Sequence, residues 1–437
     1  MTTPDASLEA WRRELEAPTP AFFEAFAAAA RTEEGTRDAV REAVKGLVPR
    51  IDWEAYLPHV PHGLLGLRAA HRLRPLLAPP AFRRLLAVQL HMLAHEGRRP
   101  GRGGLASVGK GSGHWGNLQL AIRSGRPALA WGEASGTPEP GSEDFRRLGD
   151  LVAFDMANVG HKAVMAHQLE ELFLSLGSPK ATGRRLLGIS AWLAATPSDT
   201  FWHQRAAKRL GGTPPRVPFG SAARDAAHHA AGAREVCDLG LVELLDRLAA
   251  RLREGERGGD LLAMLVLAAS EKQLDARRDL EGKTGWTFVY LATLAMRHAG
   301  LGHPSPWAQA AALVNLFPTD EAEGRVAPRA PAGGGTLLDA ILDAEPAQAM
   351  HVAREAFRSG GAEAVLRDLA AAAAQNDPAL NHAHQTLAVA ACADLAPLLP
   401  AHAQEAMLLA LAKSLANSQG SGDLGRMAEK ALGAPGA

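Results

Sequence analysis

Cysteine is nearly absent from this chain: only Cys237 and Cys392 occur in 437 residues. Two thiols so far apart exclude a disulfide scaffold and fit a reducing compartment. Tyrosine is as scarce, with two residues, and aromatics make up 5% of the chain. Net charge is missing too. Basic and acidic residues balance at 47 each and form no long run, which argues against nucleic acid or an anionic membrane as partner. No apolar stretch is long enough to span a bilayer; the longest, such as 260–270, are far too short. The N-terminus, MTTPDASLEAWRREL, is polar and has no signal-peptide apolar segment. These absences point to a soluble, cytoplasmic protein.

What is plentiful is alanine and leucine at helical spacing. The pattern predicts helices over 82–95, 164–176, 241–252, 261–280, 286–297, 364–374 and 386–399. Runs of Val, Ile and Thr at period two hardly occur, so the fold class is all-α: a large irregular helical bundle with long loops. Helix starts are expected after Ser7, Thr32 and Asp150. Three loop-like stretches stand out: a glycine-rich one at 97–116, a Pro/Gly loop at 132–142, and an exposed linker at 318–335. The last divides a main helical domain, 1–317, from C-terminal helices, 336–437, that pack onto it. GLASVGKG at 104–111 approaches a phosphate-binding loop. It lacks the Ser or Thr after Lys110 and follows a helix end rather than a strand, so a mobile surface loop or lid is the better reading.

Seventeen histidines then invite a census by helix face. In HKAVMAHQLEEL, His161 and Gln168 fall on the stripe of Val164, Met165, Leu169 and Leu172, whereas His167 lies opposite with Glu170 and Glu171. His62 shares the stripe of Leu65, Ala69 and Leu73; His71 does not. His384 lies over Leu387, Ala391 and Leu395, His382 lies off to one side near the helix start, and His298 faces inward. His91 and His95 have the four-residue spacing of a helical metal pair. Both oppose the core stripe, however, and Met92 stands where a metalloprotease motif needs glutamate, so a solvated face is expected. His228 and His229 sit in a polar alanine-rich stretch that calls for no special role. Inward imidazoles on separate helices can converge on iron, zinc or copper, and the same faces carry few carboxylates, which argues against a ferritin-like di-iron site.

Four stretches resemble the questin oxidase-like family: HGLL at 62–65, GHKAV at 160–164, TFVYLATLAMR at 287–297 and DPALNHAHQT at 377–386. The resemblance implies an all-α fold and an oxygen-dependent oxidation of aromatic polyketides such as anthraquinones. It also implies a non-haem iron held by histidines and a modified lysine. Carried over, His62, His161 and one of His382 or His384 would ligate Fe(II). Tyr290 stands where the family has histidine, Gln385 or Leu387 where it has lysine, and Gly66 where it has arginine.

The expected function is therefore a metal-dependent oxygenase acting on a small aromatic substrate and dioxygen in an apolar helical pocket. Tyr290 is the candidate catalytic residue, and Gln168, Arg297 and Gln385 are the candidate substrate contacts. NADPH is compatible with such chemistry, although no nicotinamide-binding motif occurs. The alternative is a non-catalytic helical binding or interaction protein that has lost a complete metal site. A hydrolase reading finds no G-x-S-x-G nucleophile motif.

Overall fold

Alanine and leucine at helical spacing do build helices along nearly the whole chain. The computed structural model describes residues 4–433 except 17, 20, 58–59, 98–104, 158, 212, 214–215, 276–282, 299–302, 317–325, 332–333, 377–382 and 419–422. Among the described residues it contains 21 α-helices and no strand. They are α1 (Pro4–Glu16), α2 (Phe22–Ala29), α3 (Glu33–Leu47), α4 (Gly63–Leu73), α5 (Pro79–Glu96), α6 (Trp115–Arg123), α7 (Pro127–Gly136), α8 (Ser142–Val152), α9 (His161–Ser175), α10 (Lys180–Ala194) and α11 (Phe201–Arg209). They continue with α12 (Ala226–Asp238), α13 (Leu241–Arg253), α14 (Gly258–Asp275), α15 (Lys283–Thr293), α16 (Pro304–Leu316), α17 (Leu337–Leu342), α18 (Pro346–Ala373), α19 (His384–Leu395), α20 (Ala401–Asn417) and α21 (Asp423–Leu432). No described helix is long and apolar enough to cross a membrane.

Local chemistry sets several of the starts. The Thr32 side chain accepts from Gly35 N and caps α3 as expected, and Asp225 does the same for α12 by accepting from His228 N. Ser7, by contrast, lies inside α1, and Asp150 lies near the end of α8. The α8 start is made by Gly141, whose N–H donates to Asp144.

One hydrophobic core runs from Trp11 to Ala428, with the indoles of Trp11, Trp53, Trp131, Trp192, Trp286 and Trp307 fully buried. The helices beyond the 318–335 segment belong to this core. α19 packs on α4 and α15, α20 on α14, and α21 on α5 and α2. Of that segment, 317–325 and 332–333 lie outside the described residues, while 326–331 has no regular structure and is largely exposed. Both cysteines are free thiols.

Several expectations from helix periodicity are corrected. α9 is wrapped by α4, α8, α10 and α15, so it has no solvent side for most of its length, and His167 and Glu170 are buried with the rest. His91 packs on Phe22 and Phe23 at 5.2 and 5.4 Å, while His95 faces solvent, so the two do not form a metal pair. The described end of the glycine-rich loop is docked rather than free. Gly111 N donates to Gly132 O at 2.8 Å, and Glu133 accepts from Ser112 Oγ at 2.7 Å. A Cβ on Gly136 would stand 2.3 Å from Gly111 O, so the glycines let the loop backbone lie directly on α7.

His71 also departs from a surface role. The residue is half-buried, with its ring against Phe82, and its Nε2 is shielded with no hydrogen-bond partner among the described residues. Burial, helped by the charge of Arg74, pushes this imidazole down to about 4. The unfolded chain takes up that proton near pH 6.5. Stability is therefore whole above that value and is lost as pH falls from about 6.5 towards 4, by at most about 3 kcal/mol from this residue. Urea midpoints between pH 7 and 4.5 should fall less steeply for His71→Gln than for the wild type. Parallel pH profiles for the two proteins would refute this assignment.

Candidate functional site

Four helix starts meet at one place, and three of them carry a histidine. His62 is the N-cap of α4, His161 opens α9, His384 opens α19, and Trp286 sits in the first turn of α15. Nothing in side-chain capping explains these starts, because none of the three histidine-bearing helices has a side-chain cap at its own N-cap position. For α4 the carboxylate of Glu96, at the far end of α5, fills the role. It accepts from His62 N at 2.8 Å and from Gly63 N at 3.1 Å. Both donors are ones a helix start leaves unpaired, and a carboxylate also suits the positive end of the helix dipole.

The other two starts are bent into place by left-handed backbone. Val159 and Gly160, just before His161, have φ of 49° and 82°, and Ala383, just before His384, has φ of 63°. Such conformations cost a non-glycine residue about 1–3 kcal/mol and persist only where the surroundings impose them. Here Trp286 Nε1 donates to Val159 O at 3.1 Å. The ring of Tyr290 lies so close beneath Gly160 that a Cβ there would stand 2.4 Å from its Cε2. The glycine of the GHKAV stretch is thus required twice, by its φ and by the tyrosine.

The imidazoles meet closely. His62 Nε2 and His384 Nε2 are 3.0 Å apart. The His161 ring stacks on the Trp286 indole, with centroids 3.8 Å apart and planes 13° from parallel, and lies 5.5 Å from the His62 ring. His62 and His161 are buried, and His384 is half-buried. Two nitrogens at that separation share a proton as N–H···N. Alternatively, they can both face one cation as neighbouring ligands at the usual N–metal distance of about 2.1 Å. Neutral imidazoles fit iron, zinc or copper. With His161 at its present distance, no group of three or more His, Cys, Asp or Glu among the described residues is gathered as an ion site. The fit is thus that of a two-histidine centre with a third imidazole beside it.

The remaining candidates divide. His382 lies outside the described residues, as does the side chain of His298. Tyr290 is buried beneath the cluster, but its hydroxyl points to Met156 Sδ at 3.3 Å, and burial pushes its phenol above the usual range. That favours a neutral packing phenol over a phenolate ligand. The Gln385 amide is held by Asn376, which donates to its Oε1, and itself donates to Ser418 O at 2.9 Å. Arg297 lies in the widened π-helical turn Leu294–His298 and pairs with Glu170 at 2.5 Å. Glu170 is nine residues into α9, roughly 13 Å along the helix from His161. Gln168 is buried, and its Oε1 has no hydrogen-bond partner among the described residues.

Other contributors escaped the sequence reading. Gln89, in α5, is fully buried, and neither amide atom has a partner among the described residues. It lies against Gly66, one turn below His62, where a Cβ would come within 1.9 Å of its Oε1 and 3.4 Å of Ala383 Cβ. An orphaned amide here is notable, because buried polar groups are normally paired. Lys162, next to His161, is buried against Asp155 at 2.7 Å. Arg68, two residues beyond the position where arginine was expected, is buried against Asp394 of α19 at 2.7 Å. Asp394 lies 326 residues from Arg68, too far for spacing to reveal it, and Asp155, seven residues before Lys162, lies outside α9, where helix periodicity gives no contacts. A small cavity lies elsewhere, between α12, α13, α14 and α16, lined by Val236, Leu248, Met264 and Trp307. No family model, no curated protein and no solved structure matches this chain.

Proposed function

We propose that the chain is a questin oxidase-like, metal-dependent oxidoreductase centred on His62, His161 and His384, acting on a planar aromatic substrate with dioxygen. The observation that supports this most is the convergence of three imidazoles from distant segments at helix starts, two of them held by strained backbone. Folds retain such strain where a site needs it. Iron, when bound by these imidazoles, supplies oxygen activation and orients the substrate.

The chain's own residues have definable tasks in this reading. His62 and His384, whose Nε2 atoms are 3.0 Å apart, would hold the ion. Trp286 holds the plane of His161 by stacking, and through Val159 O it holds the bend that aims it. Glu96 fixes the first turn of α4, and so the position of His62. Tyr290 keeps its proton and packs beneath Gly160. The apolar helices around the cluster exclude water.

Elemental analysis of the purified protein, with electronic spectra taken anaerobically and in air, tests the reading. A stoichiometric transition metal that disappears in His62→Ala/His161→Ala is the expected result. A metal-free wild type whose stability ignores chelators sinks it.

That outcome would favour a second reading, a non-catalytic helical binding protein. What supports it is the occupation of Tyr290, Gln385 and Arg297 by structural partners within the protein.

A further inference from the structure

Three polar side chains line up inside the body where α12, α14 and α20 meet. His229 in α12 is fully buried. Its Nε2 is 2.9 Å from Asp260 Oδ1 at the start of α14, and its Nδ1 is 3.0 Å from Nε2 of His402, in the first turn of α20. Asp260 Oδ1 also accepts from Ala223 N and Arg224 N at 2.8 and 2.9 Å. Burial works against its charge, but the N–H groups of Arg224, His229 and Ala223 hold the carboxyl below its usual range.

The protons of this chain of groups are fixed by its acid end. An ionised carboxylate only accepts, so His229 carries its proton on Nε2 and a lone pair on Nδ1. His402 Nε2 is therefore the donor in the head-on N–H···N bond between the two rings. That leaves the His402 lone pair on Nδ1. This atom is not shielded from solvent and has no hydrogen-bond partner among the described residues. Burial and the neighbouring His229 push the half-buried His402 imidazole down, while Asp225 pulls the other way, so the ring is neutral at pH 7. Carboxylate, imidazole and donor follow the order of a hydrolytic triad, with a second imidazole in the place of serine. His228 stands apart, engaged by Glu256 at 2.8 Å and Arg251 at 3.2 Å.

We propose that Asp260, His229 and His402 form a relay that makes His402 Nδ1 a nucleophile toward small activated esters and anhydrides. The Nδ1 lone pair forms a bond to the carbonyl carbon, and the C–O bond to the leaving group breaks with its electron pair. The Nε2 proton of His402 passes to His229 Nδ1, so the acyl-imidazole forms neutral. His229 becomes an imidazolium, and the Asp260 carboxylate balances its charge. Water then attacks the acyl carbon and the C–N bond breaks. His229 returns its proton to His402 Nε2, and the proton of the released acid goes to solvent. His402 is the catalytic residue of these steps, His229 its base and Asp260 the positioning residue. The first turn of α20 is also the helix end that favours the negative charge a carbonyl oxygen gains under attack.

The full-length chain is treated with diethyl pyrocarbonate at pH 8, where an ordinary imidazole is neutral too, so protonation does not set the order of reaction. Peptide mass mapping follows His402 and His95 in the same sample. His95 faces solvent and His402 is half-buried, so exposure alone favours His95. The relay predicts the reverse, with His402 faster by about 10²-fold, the lower end of what a positioned base contributes. His229→Gln donates to Asp260 and accepts from His402 but takes up no proton, and it should bring His402 below His95. Asp260→Asn should fall between that variant and the wild type. With p-nitrophenyl acetate, nitrophenolate turnover should drop at least about tenfold in His402→Gln. A wild type in which His402 reacts no faster than His95 overturns the relay, and that result needs no variant to fold. An unchanged ratio in His229→Gln, or unchanged turnover in His402→Gln, overturns it as well.

Discussion

Replacing Asp155 by alanine is expected to cost about 3–5 kcal/mol of folding stability, the usual cost of stranding a buried charge. Asp155 and Lys162 are both buried, and their ion pair spans 2.7 Å. The other carboxylate oxygen of Asp155 accepts from Ala157 N and Asp199 N, each at 2.9 Å. Lys162 Nζ also donates to Thr196 O and Pro197 O at 2.8 and 3.0 Å. Asp155→Ala removes the counter-charge and leaves an ammonium with carbonyls alone. It also frees the N–H of Ala157, in the loop that leads into Val159 and His161, and that of Asp199, in the segment between α10 and α11. Urea unfolding should show the midpoint falling with little change in slope. The double variant Asp155→Leu/Lys162→Met removes both charges and should recover much of the loss, although not the loop N–H bonds. A single variant within about 0.5 kcal/mol of the wild type would show that the pair is not carrying this loop.

The second large effect is expected from Arg68→Met. Arg68 and Asp394 are about as buried as the first pair and meet at 2.7 Å, joining α4 to α19 beyond the point where His62 and His384 meet. Both helices start at the cluster, so this second tie sets how one lies along the other. Arg72 also reaches Asp394 and donates to Ala393 O at 2.8 Å. Asp394 is therefore not left alone, and the cost should fall near the lower end, about 3 kcal/mol. Arg72 is a third exposed, and Arg72→Ala should cost under about 1 kcal/mol. Equal losses for the two variants would contradict this ranking. Because the tie aligns the two histidine-bearing helices, Arg68→Met should also weaken any metal held by His62 and His384 before it unfolds the chain.

How much was legible before the structure depended on whether the signal was local. The predicted helix over 82–95 falls within α5, 241–252 within α13 and 286–297 within α15 and its π-helical turn, because apolar spacing and alanine content act within a few turns. The inward faces of His62, His161 and His384 were legible for the same reason. Their meeting was not, since His62 and His384 are 322 residues apart. Nor was the burial of His167, because a face test assumes that every helix has a wet side, and α9 has none for most of its length. His229 looked unremarkable among alanines because its partners, Asp260 and His402, are 31 and 173 residues away.

By itself, then, the sequence determined the all-α class, the positions of helices such as α5, α13 and α15, and the inward faces of His62, His161 and His384, since propensity and periodicity are properties of neighbouring residues. Only the tertiary structure decided that four helix starts converge, that left-handed backbone aims two of the histidines, and that the buried charges are paired. Those outcomes rest on contacts between segments hundreds of residues apart, which are set by how the whole body packs.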